Sequence, residues 1–222
     1  MTIRSSFVLS AALFAGVAAP AFSLNNDAST VQNISAAPAA LHQLAGSWGG
    51  SVDLGYEDGT NSSSDSKVFA RFEPGQDGAV SLVLAYDTAA RGKPFNGAAR
   101  ITFHADSTIA FTGFDGRLNA TMLSAGMFES SVNQLTCKGQ ATKSAGGAKM
   151  DCRQVIRVER ENEIAVEFLV TQNGQEDTVM KFWLNRLPNN EVATSAKNLL
   201  NDKSLLAKIN TKGQNTANAD GE

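Results

Sequence analysis

The chain carries two histidines, His42 and His104, and two cysteines, Cys137 and Cys152, and these four side chains bound most of the chemistry open to it. Alternation along a strand puts His104 on one face with Thr102 and Asp106, which allows a hydrogen-bonded His–Asp pair. No G-x-S-x-G elbow or comparable nucleophile context accompanies that pair. His104 is therefore expected to be an ordinary residue of a surface or rim. His42 precedes the first predicted strand and could ligate a metal only if that segment folded over the end of the domain. Glu159, Glu161 and Glu163 alternate with Arg160, which reads as a solvated hairpin tip rather than a calcium loop. Glu129 and Glu167 stand alone, and no phosphate-cradling glycine motif precedes a helix. The expectation is a non-enzyme with no catalytic residue, no metal and no cofactor.

The cysteines take their meaning from the compartment. Residues Met1 to Ser23 have a basic start at Arg4, an apolar run from Phe7 to Ala19 and small-residue cleavage options around Ala21. That is the pattern of a secretory signal peptide, and the apolar run is too short for a spanning helix. A periplasmic or secreted protein without a membrane anchor is expected. In an exported chain an even pair of cysteines reads most simply as one disulfide, here Cys137–Cys152, tying the base of a Gly-, Ser- and Lys-rich hairpin loop. In the chain-entropy model such a bridge is worth on the order of 3 kcal/mol. The net charge of −3 and pI near 5.5 exclude the basic footprint of a nucleic-acid binder.

The elements that must position these residues are strands. Asp58-Gly59, Asp77-Gly78, Asn96-Gly97 and Asp115-Gly116 recur every nineteen residues, and Asx-Gly is the strongest short-range hairpin signal because both residues tolerate positive φ. Between them runs period-two alternation: Val68, Ala70 and Phe72; Val80, Leu82, Leu84 and Tyr86; Ile101 and Phe103; Ile109 and Phe111. It continues through Ile164, Val166, Phe168 and Val170, then past a turn at Asn173-Gly174 to Met180, Phe182 and Leu184. Eight to ten antiparallel strands are too many for a comfortable open sheet. Closure removes the exposed edges, so an all-β, up-and-down barrel is favoured over a sandwich. Residues 24–43 read as a flexible linker with a short helical turn near Ala39 to Leu44, 44–210 as the barrel domain, and 211–222 as a disordered tail. After Pro188 the apolar spacing turns helical, through Val192, Ala196, Leu199, Leu200, Leu206 and Ile209, with a possible break at Asn201-Asp202.

Gly46-Ser47-Trp48 at the start of the first strand, and Arg186 at the end of the last one before a C-terminal helix, resemble the lipocalin and wider calycin barrels. The resemblance implies that Trp48 sits at the barrel base with Arg186 packed across it. The T-D-Y-type motif of that family is missing. Haem-binding barrels of related shape take a histidine from late in the barrel, and none occurs there. The resemblance also implies an interior for one small hydrophobic or amphipathic ligand, lined by Phe72, Leu82, Leu84, Tyr86, Phe103, Phe111, Phe168 and Phe182. The alternative reading is a filled barrel whose loops, the one between the cysteines or the segment Gly116 to Ser131, contact a protein partner.

Overall fold

The computed structural model describes residues 36–210 except 145, 146, 173 and 189. The leader read at 1–23, the first part of the linker, Asn173 of the last Asx-Gly turn and the tail at 211–222 lie outside the described residues.

Ten strands follow one another in chain order: β1 (Gly46–Gly55), β2 (Asn61–Pro74), β3 (Val80–Ala90), β4 (Lys93–Phe103), β5 (Ile109–Asp115), β6 (Ala120–Glu129), β7 (Gln134–Lys143), β8 (Lys149–Arg160), β9 (Glu163–Gln172) and β10 (Gln175–Arg186). Each pairs antiparallel with the next, and β10 returns to β1 to close the ring. Closure gives every strand two partners, so no edge is left to template aggregation. The ring is two strands larger than the eight of a lipocalin barrel. The period-two faces point as their sequence demands: Leu82, Ile101, Phe168, Phe182 and Leu184 are buried in one continuous core. Charged residues such as Lys181 and Glu167, paired at 2.7 Å, occupy the alternate positions.

The Asx-Gly pairs do not all turn the chain. Asp77 and Gly78 adopt φ of 53° and 77° between β2 and β3, the left-handed pair that a tight hairpin needs. Asn96-Gly97 instead lies inside β4. The β3–β4 turn is made by Arg91 and Gly92, at φ of 50° and 76°. Gly97 serves a different end: a Cβ there would stand 2.3 Å from the Tyr86 ring. The segment Gly116 to Ser131, read as a loop for a protein partner, is instead a short turn after β5 followed by the whole of β6.

A 3₁₀ turn at Ala39–Leu44 closes one end of the barrel, the base. Leu41 and Leu44 from it are buried against the core, so the last residues of the segment read as a linker are packed. Beyond β10 the helical stretch forms two short helices, α1 (Thr194–Leu199) and α2 (Lys203–Ile209), broken at the Asn201-Asp202 interruption that the sequence suggests. Asp202 caps α2 by accepting from the Ser204 and Leu205 amides. Leu200, Leu205 and Ile209 cover Val83, Ala85, Ala98 and Phe114 on the outer face of the sheet. Val192, expected in that stripe, is exposed instead.

The disulfide expectation is corrected by the register. Cys137 lies opposite Gln154 and Cys152 opposite Gly139, so the two are diagonal neighbours across β7 and β8. Such neighbours have Cα atoms about 7–8 Å apart, beyond the roughly 4.4–6.8 Å that a disulfide spans. Both are free, buried thiols. The segment between them is mostly strand, since β7 continues to Lys143 and β8 begins at Lys149.

Candidate functional site: the open mouth of the barrel

The two ends of the barrel are built differently. At the base, Trp48 is fully buried and its Nε1 donates to Leu44 O at 2.9 Å. The Arg186 guanidinium lies over the Trp48 ring, 4.4 Å from its centroid, and donates to the carbonyls of Ala45 and Gln43. Gly46 is required here twice over. Its φ is +126°, and a Cβ would fall 2.5 Å from Arg186 Nη1. The base is thus shut by the pair that the Gly-x-Trp resemblance implied.

Inside the ring an apolar cavity of about 80 Å³ remains, bordered among others by Leu82, Leu84, Tyr86, Phe111, Phe168 and Phe182. Those are six of the eight side chains expected to line a ligand. Phe103 and Phe72 do not border it. Phe103 is buried near the base end of β4, and Phe72 meets His42 edge to face at 6.0 Å. Ligand pockets usually offer roughly 300–1,000 Å³, so the barrel interior is largely filled by its own side chains. The sequence missed Gln154, which is 4% exposed and borders the same cavity. Its Nε2 donates to Cys152 Sγ at 3.2 Å and Met122 Sδ at 3.7 Å, while its Oε1 is buried without a partner.

The opposite end, the mouth, holds a cleft of about 380 Å³. Tyr56, Glu57 and Asp58 border it from the β1–β2 turn, Arg117 and Leu118 from the β5–β6 turn, and Lys143, Met150, Val170 and Val179 from the ends of β7, β8, β9 and β10. Along β8, β9 and β10 the residues of the inner cavity follow those of the cleft toward the base, so the two spaces lie one behind the other.

Arg117 organises the mouth. Its Nη1 donates to Gly55 O at 2.9 Å and its Nη2 to Val179 O at 2.8 Å. In the ring order, β6 stands five places from β1 and β5 five places from β10, so this side chain reaches from one side of the mouth to the other. Its acceptors exist because of an irregularity. The β9–β10 register skips Val179, a β-bulge, and Gly55 lies one residue past the last β1–β10 rung. The guanidinium satisfies carbonyls that the ladder leaves over. Behind it, Asp115 is fully buried and accepts from Tyr86 Oη at 2.9 Å and from the Leu118 amide at 2.7 Å. Burial and the Asp115 carboxylate together push the Tyr86 hydroxyl well above its ordinary pKa, so it remains a hydrogen-bond donor.

The other charges that border the cleft are paired. Lys143 meets Glu57 at 3.2 Å and Arg91 meets Asp58 at 2.9 Å. Hydrogen bonds from Thr60 and Arg91 hold the Asp58 carboxyl well below the usual range. Arg91 also stacks on Tyr56, 3.9 Å from the ring centroid. The histidines play no part at the mouth. His104 is exposed in the β4–β5 turn, and Asp106 turns its carboxylate to Thr108 rather than to His104. His42 bonds Ala37 O at the base. Among the described residues, no three His, Cys, Asp or Glu side chains gather as a metal-binding group.

A family model described as a protein of unknown function, DUF1579, matches residues 35–186. The crystal structure of Rv2717c from M. tuberculosis is similar at a TM-score of 0.50 and 15% identity, over 68% of this chain and 99% of that one. That likeness concerns the fold. No curated protein matches the chain.

Proposed function

The chain belongs to the DUF1579 family, and we propose that it is an exported protein that binds a small amphipathic molecule at the mouth of its barrel. The observation that carries this reading is the asymmetry of the two ends: Trp48 and Arg186 shut the base, while the mouth opens into a cleft of about 380 Å³. That volume falls in the range of small-molecule sites, and its mixture of aliphatic walls with a few polar groups is their usual make-up. The filled interior supports a ligand seated at the mouth rather than one enclosed at the barrel centre. The outward placement of charge and inward placement of apolar residues is the reverse of a membrane-spanning barrel, whose lumen is polar. Native mass spectrometry of the full-length product, purified from its host without detergent and again after incubation with a lipid extract, tests the reading. A discrete adduct displaced by an added amphiphile is expected; adduct-free spectra in both cases would defeat it.

One observation favours a second reading, contact with a protein partner. The outer face of β6 exposes Leu123 at 55% and Met127 at 73% on alternate positions. Co-purification that is lost in Leu123→Glu/Met127→Glu, with the amphiphile adduct retained, would favour it.

A further inference from the structure

We infer that the molecule bound at the mouth carries an anionic oxygen head, a carboxylate or a phosphate, and that Arg117 is the group that reads it. The inference rests on the amphiphile reading above and adds the class of head group. Its starting point is an imbalance of charge. Of the basic side chains that border the cleft, Lys143 is paired with Glu57, and on the rim Arg91 is paired with Asp58. Arg117 forms no ion pair among the described residues: both of its hydrogen bonds go to neutral carbonyls, its Nε is buried without a hydrogen-bond partner, and its remaining contact is the Tyr56 ring, 5.5 Å from the guanidinium carbon to the centroid. The carboxylate nearest in sequence, Asp115, has turned its oxygens to Tyr86 and to the Leu118 amide. A guanidinium offers five donors in a fork that matches carboxylate and phosphate geometry. Here that fork is held in a partly apolar cleft, where solvent screens it less than at an open surface.

An oxyanion arriving in the cleft gives the fork a better partner than it now has. Hydrogen bonds between charged groups are about twice as strong as those to neutral acceptors, so the head draws the guanidinium from Gly55 O and Val179 O onto itself. The two released carbonyls lie at the mouth, where water satisfies them. Because Arg117 spans the mouth, the same movement clears the cleft, and the tail then lies along Leu118, Val170 and Val179 on its wall. Head recognition and opening are one event, so a neutral molecule of equal chain length lacks the means to lift the bar.

The test uses the full chain and four probes of one chain length: dodecanoate, dodecyl phosphate, dodecanol and methyl dodecanoate, each titrated calorimetrically below its critical micelle concentration. At least one anion is expected to bind ten-fold or more tightly than both neutral probes, and the tighter anion identifies the head. The ratio is expected to fall below two-fold in Arg117→Met. Should that variant fail to fold, Arg117→Lys keeps the charge without the fork and is expected to lose most of the ratio. The Arg117 Nε–H resonance of the unaltered protein should shift with the anion and stay put with the ester. Equal affinity for charged and neutral probes, or a ratio that survives in Arg117→Met, overturns the inference and leaves the amphiphile reading standing. Absence of binding by all four overturns both.

Discussion

Tyr86 shows how much one position depends on its neighbours across the sheet. Its ring lies over Gly97, the residue opposite it on β4, and its hydroxyl crosses to Asp115 on β5. A buried carboxylate that loses a donor carries its desolvation penalty uncompensated, at about 1–3 kcal/mol. Tyr86→Phe is accordingly expected to lower the urea unfolding free energy by that amount despite preserving the ring; an unchanged midpoint would show that water replaces the hydroxyl. Gly97→Ala is expected to cost more, since the added methyl also meets Phe114 O at 2.6 Å, and backbone cannot step aside. The thiols make a second residue-scale prediction. Burial pushes Cys137 up to about 12. The folded state then keeps a proton that the unfolded chain loses above about pH 9, so stability falls as pH rises from about 9 to about 12. Cys137→Ala should show a shallower alkaline decline in unfolding free energy. Iodoacetamide should leave native Cys137 unmodified at pH 8 and label it once the chain is unfolded in urea.

At the scale of elements, the C-terminal helices act as a cover. They hide Val83, Ala85, Ala98 and Phe114, apolar residues that alternation places outside the ring. Arg100 fastens the end of α2 by donating to Asn210 Oδ1 at 3.0 Å, and its other arm meets Glu73 at 2.9 Å. Burial raises the Glu73 carboxyl, but hydrogen bonds from Arg71 and Arg100 outweigh it and hold the group below its usual pKa. Its contribution is present above the ordinary glutamate range and is lost as pH falls through the folded value. Asp202→Ala removes the cap of α2 and should cost about 1 kcal/mol, read as a lowered denaturation midpoint with unchanged slope. Strand faces and the position of the helices were legible because each depends on local alternation or spacing. The turn at Arg91-Gly92 was not, because a glycine at the second turn position lets an unexpected residue take the first left-handed place. Arg117 was hidden for a deeper reason: both acceptors lie 62 residues away, and they are free only because β10 bulges at Val179. Nothing in the local pattern announces a bulge. The thiols were misread because pairing depends on register, which an even count of cysteines does not set.

For the molecule as a whole, the decisive contact joins its first and last strands. Trp48 and Arg186 are register partners across the β1–β10 seam, and the cation stacks on the ring. Removing a buried Trp typically costs 3–5 kcal/mol. Trp48→Ala is expected near the upper end of that range, because the base would lose its plug and the seam one of its rungs together. Arg186→Met should cost less, keeping the aliphatic stem over the indole but leaving the Ala45 and Gln43 carbonyls without donors. Thermal unfolding of both variants checks the order; Arg186→Met as damaging as Trp48→Ala would mean that the carbonyl bonds, not the ring, hold the seam.

That seam also sets a clock. Strands β2 to β9 can each find a neighbour as they are made, but β1 cannot gain its second partner until β10 exists. A ribosome must therefore release nearly the whole barrel before the ring can shut, and until then the chain remains an open ribbon that can still be threaded, captured or cut. Closure by a terminal strand ties the moment of folding to the completion of synthesis.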